Sequence, residues 1–382
     1  MVIDMVNLQG TFEEFAKEYQ SGALKPVIEA KLELLFESFQ KVLYEEDDTF
    51  LKNMQTKNLA GDDINKYRFW EWTQGVGLFG MWKMFERTGK QSYLKILTEY
   101  YERQMGIGLP AKNINTTAPM LTLAYVYEHT KKEEYGALCT EWAEWLMDGL
   151  PKTKEGGFQH LTSDTLNDQE LWDDTLFMSV LFLAKCGVIF GKQEWVEEAK
   201  YQFLLHIKYL SDKETGLWFH GWTFHGNHNF AKALWGRGNS WATAAIPELL
   251  GIIGCEPCVR RFLTEALHNQ VESLKKFQDT SGMWHTLVDD PASYVETSAT
   301  CGFAYGILKA VHDGLIDKEY ELCAIKALKP VLSYIGDDGI VSQVSYGTAM
   351  GRESKQFYKE IEIKSMPYGQ AMAILFLLEL IY

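Results

Sequence analysis

The sequence predicts an all-α fold of the (α/α)6 toroid type, the six-hairpin barrel, formed as one domain over residues 1–382. Three observations predict it. A turn with polar and aromatic residues recurs six times, each turn opens a helix rich in small and apolar residues, and several of these helices precede a more polar, one-sided helix. Buried helices are apolar all round and solvated helices are amphipathic, so the alternation indicates an inner and an outer ring.

The six turns are separated by roughly 40 to 70 residues, a spacing wider than that of most helical solenoid repeats. In chain order they lie at residues 70–75, 113–117, 171–175, 235–239, 294–298 and 366–370. Because the inner helices of a toroid all begin at one end, we expect these turns to meet at one mouth. A HEAT-like or TPR-like array is the alternative, and it predicts shorter repeats without polar clusters at helix starts.

Three helix pairs are clearest in the pattern. Inner helices are predicted over 77–87, 120–129 and 176–187, with outer partners over 91–104, 135–147 and 194–209. Glycine in the connecting loops suits a helix C-cap. Short hairpin strands are expected only around 156–160, 217–220 and 340–345.

Composition and charge exclude several classes of protein. The formal charge of −15 and the pI near 5.1 argue against a nucleic-acid partner, which needs a basic surface. No apolar run is long enough to span a bilayer, so no membrane partner is expected. The first ten residues carry Asp4 and no basic segment of the kind that begins a secretion signal, which predicts a cytoplasmic protein.

Six cysteines are expected to be free thiols in a reducing cytoplasm. Cys255 and Cys258 spell C-x-x-C, but no second pair follows at the spacing of a zinc site, so we interpret them as structural. His220, His225 and His228 share one loop without a carboxylate at ligand spacing, and we predict no metal there.

The residues at the six turns are typical of a sugar site, with rings for stacking and amides and imidazoles for hydroxyl groups. Loops add three further side chains to them. The candidates are Trp72, Gln74, Asn115, Trp172, Asp173, Asp174, Arg237, Asn239, Trp241, Glu296, Ser298, Tyr368 and Gln370, with His160, His220 and Trp222 from loops. Arg237 is the main cation, and its guanidinium could bind a carboxylate bidentately.

The same residues have structural explanations. Either Asp173 or Asp174 could be a helix N-cap or a solvated surface charge. Apolar neighbours would instead raise the pKa of a buried aspartate and suit it to donate a proton. Arg237 and Trp241 lie four residues apart, a spacing that also favours a purely structural cation–π pair.

Six short motifs occur in one order between residue 69 and the C-terminus. They are W-x-W-x-x-G-V-G at 70–77, W-x-D-T-L-x-M at 172–178, H-G-W at 220–222, W-G-R-x-x-x-W at 235–241, D-x-P-x-S-Y-x-E-x-S-A-T at 289–300 and Y-G-Q at 368–370. In this order and spacing the chain resembles the unsaturated rhamnogalacturonyl hydrolases, glycoside hydrolase family 105. A more distant resemblance is to the unsaturated glucuronyl hydrolases of family 88.

The resemblance implies an (α/α)6 barrel whose substrate is a small oligosaccharide left by a polysaccharide lyase, ending in a uronic acid with a C4=C5 double bond. It implies that an aspartic acid protonates C4, that water adds at C5, and that the hydrated sugar opens and expels the aglycone. Asp174 matches the family's proton donor and, once ionised, can take the proton from water. No cofactor is implied, and the oligomeric state stays open.

The predicted substrate-binding residues come partly from the six turns and partly from the resemblance. Trp72 and Asn115 come from the first two turns, and His160 matches a histidine of the family's G-G-x-x-H loop. The family's carboxylate- and ring-binding residues match Trp172, His220, Arg237 and Trp241. Many relatives carry aspartate where Asn115 stands, four residues before Pro119, so a mechanism with two aspartates is not expected to transfer.

Three other functions of a toroid stay open from the residues alone. An ordinary inverting glycosidase needs a second carboxylate across the cavity, for which Glu296 is available. A sugar epimerase or isomerase would use two histidines, and His220 with His285 could supply them. A non-catalytic glycan-binding barrel needs neither pair. Arg237 together with the W-x-D motif favours a hydrolase that acts on unsaturated uronates. The sequence leaves open whether the uronate has the galacto or the gluco configuration.

Overall fold

The computed structural model describes residues 11–44, 66, 68–163 and 165–381. These residues form helices α1 (Phe12–Gln20), α2 (Lys25–Val42), α3 (Trp72–Thr88), α4 (Gln91–Ile107), α5 (Ile114–Thr130), α6 (Glu133–Glu144), α7 (Leu181–Phe190), α8 (Gln193–Leu210), α9 (Gly236–Ile252), α10 (Pro257–Phe277), α11 (Thr297–His312), α12 (Glu321–Tyr334), α13 (Gln356–Lys359) and α14 (Pro367–Ile381). A π-helical turn, Trp145–Gly149, follows α6, a second, Leu176–Val180, leads into α7, and a 3-10 turn, Lys318–Tyr320, leads into α12.

Six helices form an inner ring. α3 packs on α5, the ring continues through α7, α9 and α11, and α14 packs on both α11 and α3 and so closes it. These helices are buried on nearly every side, as in α9, where every residue from Gly236 to Leu250 is buried. The predicted (α/α)6 toroid is therefore confirmed, and its inner helices are apolar all round because they meet neighbours all round.

The outer ring consists of α2, α4, α6, α8, α10 and α12. In α10 the buried residues Leu263, Leu267, Val271 and Leu274 form a single stripe, as expected of a solvated helix. α2 packs against α14 and is the sixth outer helix, which lay outside the predicted pairs. Buried apolar residues from Phe15 to Leu380 form one main core, which supports the single domain; its limits at residues 1 and 382 stay a prediction.

The helix ends follow local sequence. Asn113 and Thr116 form a capping box at the start of α5, where each side chain binds the other's backbone amide. Gly89 and Gly191 end α3 and α7 in the left-handed conformation that glycine adopts without strain. Lys131 holds the same position after α5, with a φ of 57°.

Small residues let inner helices approach one another closely. A Cβ atom on Gly75 of α3 would lie 2.6 Å from the backbone carbon of Ala118 in α5. One on Gly306 of α11 would lie 2.5 Å from the carbonyl oxygen of Thr243 in α9. Since no side chain fits at either place, glycine sets how tightly the ring closes.

Each of the three predicted hairpin segments forms antiparallel bridges, but none forms a regular strand. The bridges join Lys152 with Phe158, Ser211 with Trp218, Ile335 with Val341, and Ser345 with Ile363. Within the described ranges the one regular ladder is antiparallel, β1 (Glu170–Trp172) with β2 (Gly221–Thr223). Its strands are about fifty residues apart in the chain, so no local hairpin signal marks them.

The last turns of the inner helices carry buried charges at the end of the ring opposite the helix starts. Glu248 of α9 lies 3.4 Å from the Lys83 ammonium of α3 and accepts a hydrogen bond from the hydroxyl of Tyr305 in α11. Glu379 of α14 lies 2.7 Å from His312 Nδ1 of α11. These pairs compensate charges that would otherwise be costly to bury.

All six cysteines are free thiols, and Cys139, Cys186, Cys301 and Cys323 are buried. Of the helices in the described part of the chain, none is both long and apolar enough to cross a membrane.

Candidate active site

The starts of the inner helices meet at one mouth, as predicted. The Trp72 ring at the start of α3 stacks on Tyr368 of α14, with centroids 4.6 Å apart, and meets the edge of Trp241 of α9 at 6.1 Å. Phe177, in the π-helical turn before α7, lies 5.0 Å from Trp241. Four helix starts therefore contribute to one aromatic wall, and Trp72 remains partly exposed on it.

Asp174 lies at this mouth between β1 and the π-helical turn. Its side chain is 17% exposed, and its Oδ1 atom has no hydrogen-bond partner among the described residues. Burial raises the pKa of Asp174 to about 7, although the positive charge of Arg237 opposes the rise. A carboxyl group with this pKa is present at neutral pH as both acid and base.

His160 and Trp172 form a flat shelf beside Asp174. Their rings are stacked, with centroids 4.3 Å apart and an angle of 8° between the planes. His160 Nδ1 lies 2.8 Å from the Thr175 hydroxyl and 3.4 Å from Asp174 Oδ1. Trp172 donates its Nε1 hydrogen to Glu170 at 3.0 Å, so both rings are held in fixed orientations.

The support under this shelf was not predicted from sequence. Arg352 donates from Nη1 to Glu170 Oε1 at 2.7 Å, and its side chain is 49% exposed at the rim. Residue 352 is 182 positions from residue 170, and no motif at either place indicates the pairing.

His220 lies on the other side of Trp172, with ring centroids 5.1 Å apart, and against Trp235 at 4.3 Å. Its Nδ1 atom is 2.7 Å from the hydroxyl of Tyr358, while its Nε2 atom has no partner among the described residues. Burial lowers the pKa of His220 well below its usual range, so the imidazole is neutral at physiological pH. Tyr358 was missed because a tyrosine in a short helix carries no sequence signal.

Arg237 is placed differently from the expectation that it binds a carboxylate bidentately. It is 2% exposed, and protein oxygens occupy both ends of its guanidinium. Nη1 donates to the Ser345 hydroxyl at 2.6 Å and carbonyl at 3.1 Å. Nη2 donates to the Thr348 hydroxyl at 2.9 Å and the Tyr346 carbonyl at 3.2 Å. In this arrangement Arg237 anchors the segment 345–348 and influences Asp174 through its charge.

The guanidinium of Arg237 does make cation–π contacts, but with other rings than that of Trp241. The guanidinium lies between the rings of Trp235 and Tyr368, each 4.8 Å away. Trp241, the partner suggested by the four-residue spacing, instead belongs to the aromatic wall. A spacing of four residues does put Arg237 and Trp241 on one face of α9, but the rings that contact the guanidinium are those of Trp235 and of Tyr368, which belongs to α14.

The residues offered for the other functions are engaged elsewhere. Glu296 is 1% exposed and is the N-cap of α11, accepting from the Ala299 amide, the Ser298 hydroxyl and the Ser345 amide. Its oxygens therefore do not face water as a general base must. His285 binds the Ser293 carbonyl through Nδ1, whereas His220 binds Tyr358, so the two histidines have separate surroundings.

Asn115 lies half-buried in the first turn of α5. A carboxylate that the sequence did not single out occurs nearby. Glu71, the N-cap of α3, is buried and accepts from the hydroxyl of Ser163 at 2.6 Å, which in turn accepts from the Asn113 amide at 3.0 Å. The acidic residue between Trp70 and Trp72 was the available signal.

Asp173 is fully buried, and neither carboxyl oxygen has a hydrogen-bond partner among the residues described. Burial and the neighbouring Asp174 raise the pKa of Asp173 well above its usual range, which favours the protonated form of this carboxyl group. The carboxyl group lies against Gly238, where a Cβ atom would be 2.1 Å from Asp173 Oδ2.

Within the described ranges no three histidine, cysteine, aspartate or glutamate side chains are grouped as a metal site requires. Of the histidines in the loop after β2, His225 pairs with Asp168 at 2.8 Å, with both side chains more than half exposed.

Comparison with known proteins gives matches along most of the chain. A family model described as Glycosyl Hydrolase Family 88 matches residues 44–382. The unsaturated rhamnogalacturonyl hydrolase YesR of Bacillus subtilis is 30% identical over 315 residues, which cover 82% of this chain and 90% of that protein.

Solved structures match as well. A possible member of family GH105 from Salmonella enterica serovar Paratyphi A is 46% identical, with a TM-score of 0.84 over 91% of this chain and 93% of that one. The unsaturated glucuronyl hydrolase of Bacillus sp. GL1 has a TM-score of 0.65 at 15% identity, over 91% of this chain and 96% of that one, and shares the fold.

Proposed function

The chain belongs to glycosyl hydrolase family 88 and is a hydrolase of glycosidic bonds, and we propose from its site that Asp174 hydrates a 4,5-unsaturated uronic acid and so releases it from a short oligosaccharide. The observation that carries the proposal is the Asp174 carboxyl group. It is nearly buried at an aromatic mouth, has an oxygen with no hydrogen-bond partner among the described residues, and has a pKa of about 7.

The reaction needs one group that first gives and then takes a proton. Protonated Asp174 gives its proton to C4 of the enol ether while water adds at C5, and the carboxylate then takes a proton from that water. The C5 hemiketal opens to a ketone as the ring oxygen becomes a hydroxyl group on C1. The C1 hemiacetal then loses the aglycone as an alcohol, so one water molecule is consumed and no redox cofactor is required.

The other predicted residues have positions that suit substrate binding. Trp72 is partly exposed and provides a ring face, Trp241 is 2% exposed and supports Trp72 from within the wall, and the stacked His160 and Trp172 flank Asp174. Asn115 offers a neutral amide for a sugar hydroxyl group. Arg237 acts indirectly in this proposal, because its guanidinium anchors segment 345–348 and its charge opposes the rise in the pKa of Asp174.

Two features support a small intracellular substrate. The aromatic wall and the small number of polar groups beside it suit one terminal sugar and a short aglycone. Six free cysteines are typical of a reducing compartment, and on that basis we place the reaction in the cytoplasm.

The test follows the loss of ultraviolet absorbance of the conjugated enol-ether carboxylate. Purified protein is incubated with unsaturated galacturonyl-rhamnose and, separately, with unsaturated glucuronyl disaccharides. We expect loss of absorbance with one of them, abolished in Asp174→Asn and retained in Asp168→Asn, a control at an exposed aspartate. A wild-type protein that consumes none of these substrates, or an Asp174→Asn variant that turns over normally, would refute the proposal.

A further inference from the structure

The imidazole of His220 is held on three sides. Its ring lies between Trp235 and Trp172, at centroid distances of 4.3 and 5.1 Å, and its Nδ1 atom is 2.7 Å from the Tyr358 hydroxyl. His220 is 1% exposed and Tyr358 is fully buried. A ring held in this way cannot turn over, so each nitrogen keeps its own surroundings.

The direction of the Tyr358–His220 hydrogen bond follows from the other partners of the phenol. The backbone amide of Gly351 lies 3.0 Å from the Tyr358 oxygen, and because an amide can only donate, this oxygen accepts from it. The single phenol proton can go to His220 Nδ1 at 2.7 Å or to the Met350 sulfur at 3.8 Å. An imidazole nitrogen is a far better acceptor than a thioether, so the proton goes to Nδ1.

A neutral imidazole that accepts at Nδ1 carries its own hydrogen at Nε2. In the described part of the chain Nε2 has no hydrogen-bond partner, and an unpaired buried donor is costly. The Asp173 amide donates to the His220 carbonyl at 3.0 Å, which ties His220 to the residue before Asp174. The unpaired donor therefore belongs to a residue whose main chain is bonded to the residue before Asp174.

We propose that Tyr358 is a positioning residue that holds His220 as its Nε2–H tautomer, so that Nε2 donates a hydrogen bond to an oxygen of the uronate beside Asp174. The inference rests on the proposed function and adds a residue outside the six motifs. Its consequence is for specificity. With both ends of Arg237 occupied, a neutral donor contributes to recognition of the uronate, and the other tautomer would present a lone pair to the same oxygen.

The first test needs no variant of Tyr358 and no substrate. Nitrogen NMR of protein labelled with ¹⁵N-histidine separates protonated from unprotonated ring nitrogens, and His220→Gln identifies the His220 signals among the nine histidines. We expect an unprotonated Nδ1 and a protonated Nε2. An Nδ1–H tautomer in the wild-type protein would overturn the inference even if the enzyme is active.

The second test compares Tyr358→Phe with Tyr101→Phe. Tyr101 is equally buried, and its hydroxyl donates to the Pro119 carbonyl at 2.7 Å from the outer helix α4. We expect Tyr358→Phe to give a mixture of His220 tautomers and about a tenfold lower kcat/KM, mainly through KM, as loss of one hydrogen bond predicts. Tyr101→Phe should leave both the tautomer and kcat/KM unchanged.

The outcomes separate the two proposals. A wild-type protein with no activity on unsaturated substrates refutes the proposed function, while its His220 tautomer is still measured. If the wild-type protein is active and Tyr358→Phe changes neither kcat/KM nor the ¹⁵N chemical shifts of His220, the role of Tyr358 is refuted. Should Tyr358→Phe fail to fold, the wild-type tautomer alone decides.

Discussion

Replacing Asp174 by asparagine is expected to stabilise the protein at the same time as it abolishes turnover. Burial raises the pKa of Asp174 from its ordinary value of 3.8 to about 7. In the unfolded chain the carboxyl group loses its proton near pH 3.8, whereas in the folded protein it keeps it until about pH 7. The folded state binds the extra proton in this window, so wild-type stability falls as pH rises through it and is constant above.

The size of the effect follows from the shift. A rise of about 3 pKa units, at about 1.4 kcal/mol per unit, destabilises the wild-type protein by about 4 kcal/mol above pH 7. At pH 5 only part of the window has been crossed, and the cost is roughly 2 kcal/mol. Asparagine has the same size and no charge, so Asp174→Asn is expected to escape this cost at both values of pH.

The assay is urea denaturation of the wild-type protein and of Asp174→Asn at pH 5 and pH 8, followed by tryptophan fluorescence. The advantage of Asp174→Asn should grow by about 2 kcal/mol between the two values of pH. Asp168→Asn, at an exposed aspartate paired with His225, provides the control. If both proteins show the same dependence of stability on pH, the carboxyl group is not held in its protonated form and the reasoning about the site is wrong.

Three further predictions follow from named contacts. Because the proposed acid loses its proton near neutrality, kcat/KM for the unsaturated substrate should fall about tenfold per pH unit above about pH 7, as a pH–rate profile would show. A hydrogen bond to Glu379 raises the pKa of His312. The pair therefore stabilises the protein fully below the usual histidine pKa, and this stabilisation is lost as pH rises through the raised pKa. His312→Gln should lower the thermal midpoint at pH 6 and leave it nearly unchanged at pH 9. Gly238→Ala, whose Cβ would meet the Asp173 carboxyl, should destabilise the protein by roughly 1–3 kcal/mol or more on thermal unfolding, whereas Gly254→Ala, with open space around it, should not.

Much of the architecture was predictable because it depends on local sequence. The alternation of all-round apolar helices with one-sided helices follows a 3.6-residue period, and it predicted the bounds of α3 to α8 to within six residues. The six polar turns predicted where the inner helices start, and the toroid brings Trp72, Asp174 and Trp241 to the same end of the ring. These features depend only on residues that are close to one another in the sequence.

The arrangement inside the mouth was decided by tertiary structure. Arg237 was expected to bind a carboxylate, but Ser345 and Thr348, more than a hundred residues away, occupy its guanidinium. The tautomer we infer for His220 likewise depends on Tyr358, 138 residues further along the chain. The sequence by itself determined which residues reach the mouth, because helix periodicity and helix starts are local properties. Only the folded structure decided which of them are paired and which are left with a free hydrogen-bonding atom, because such pairs join segments whose separation in the chain carries no signal.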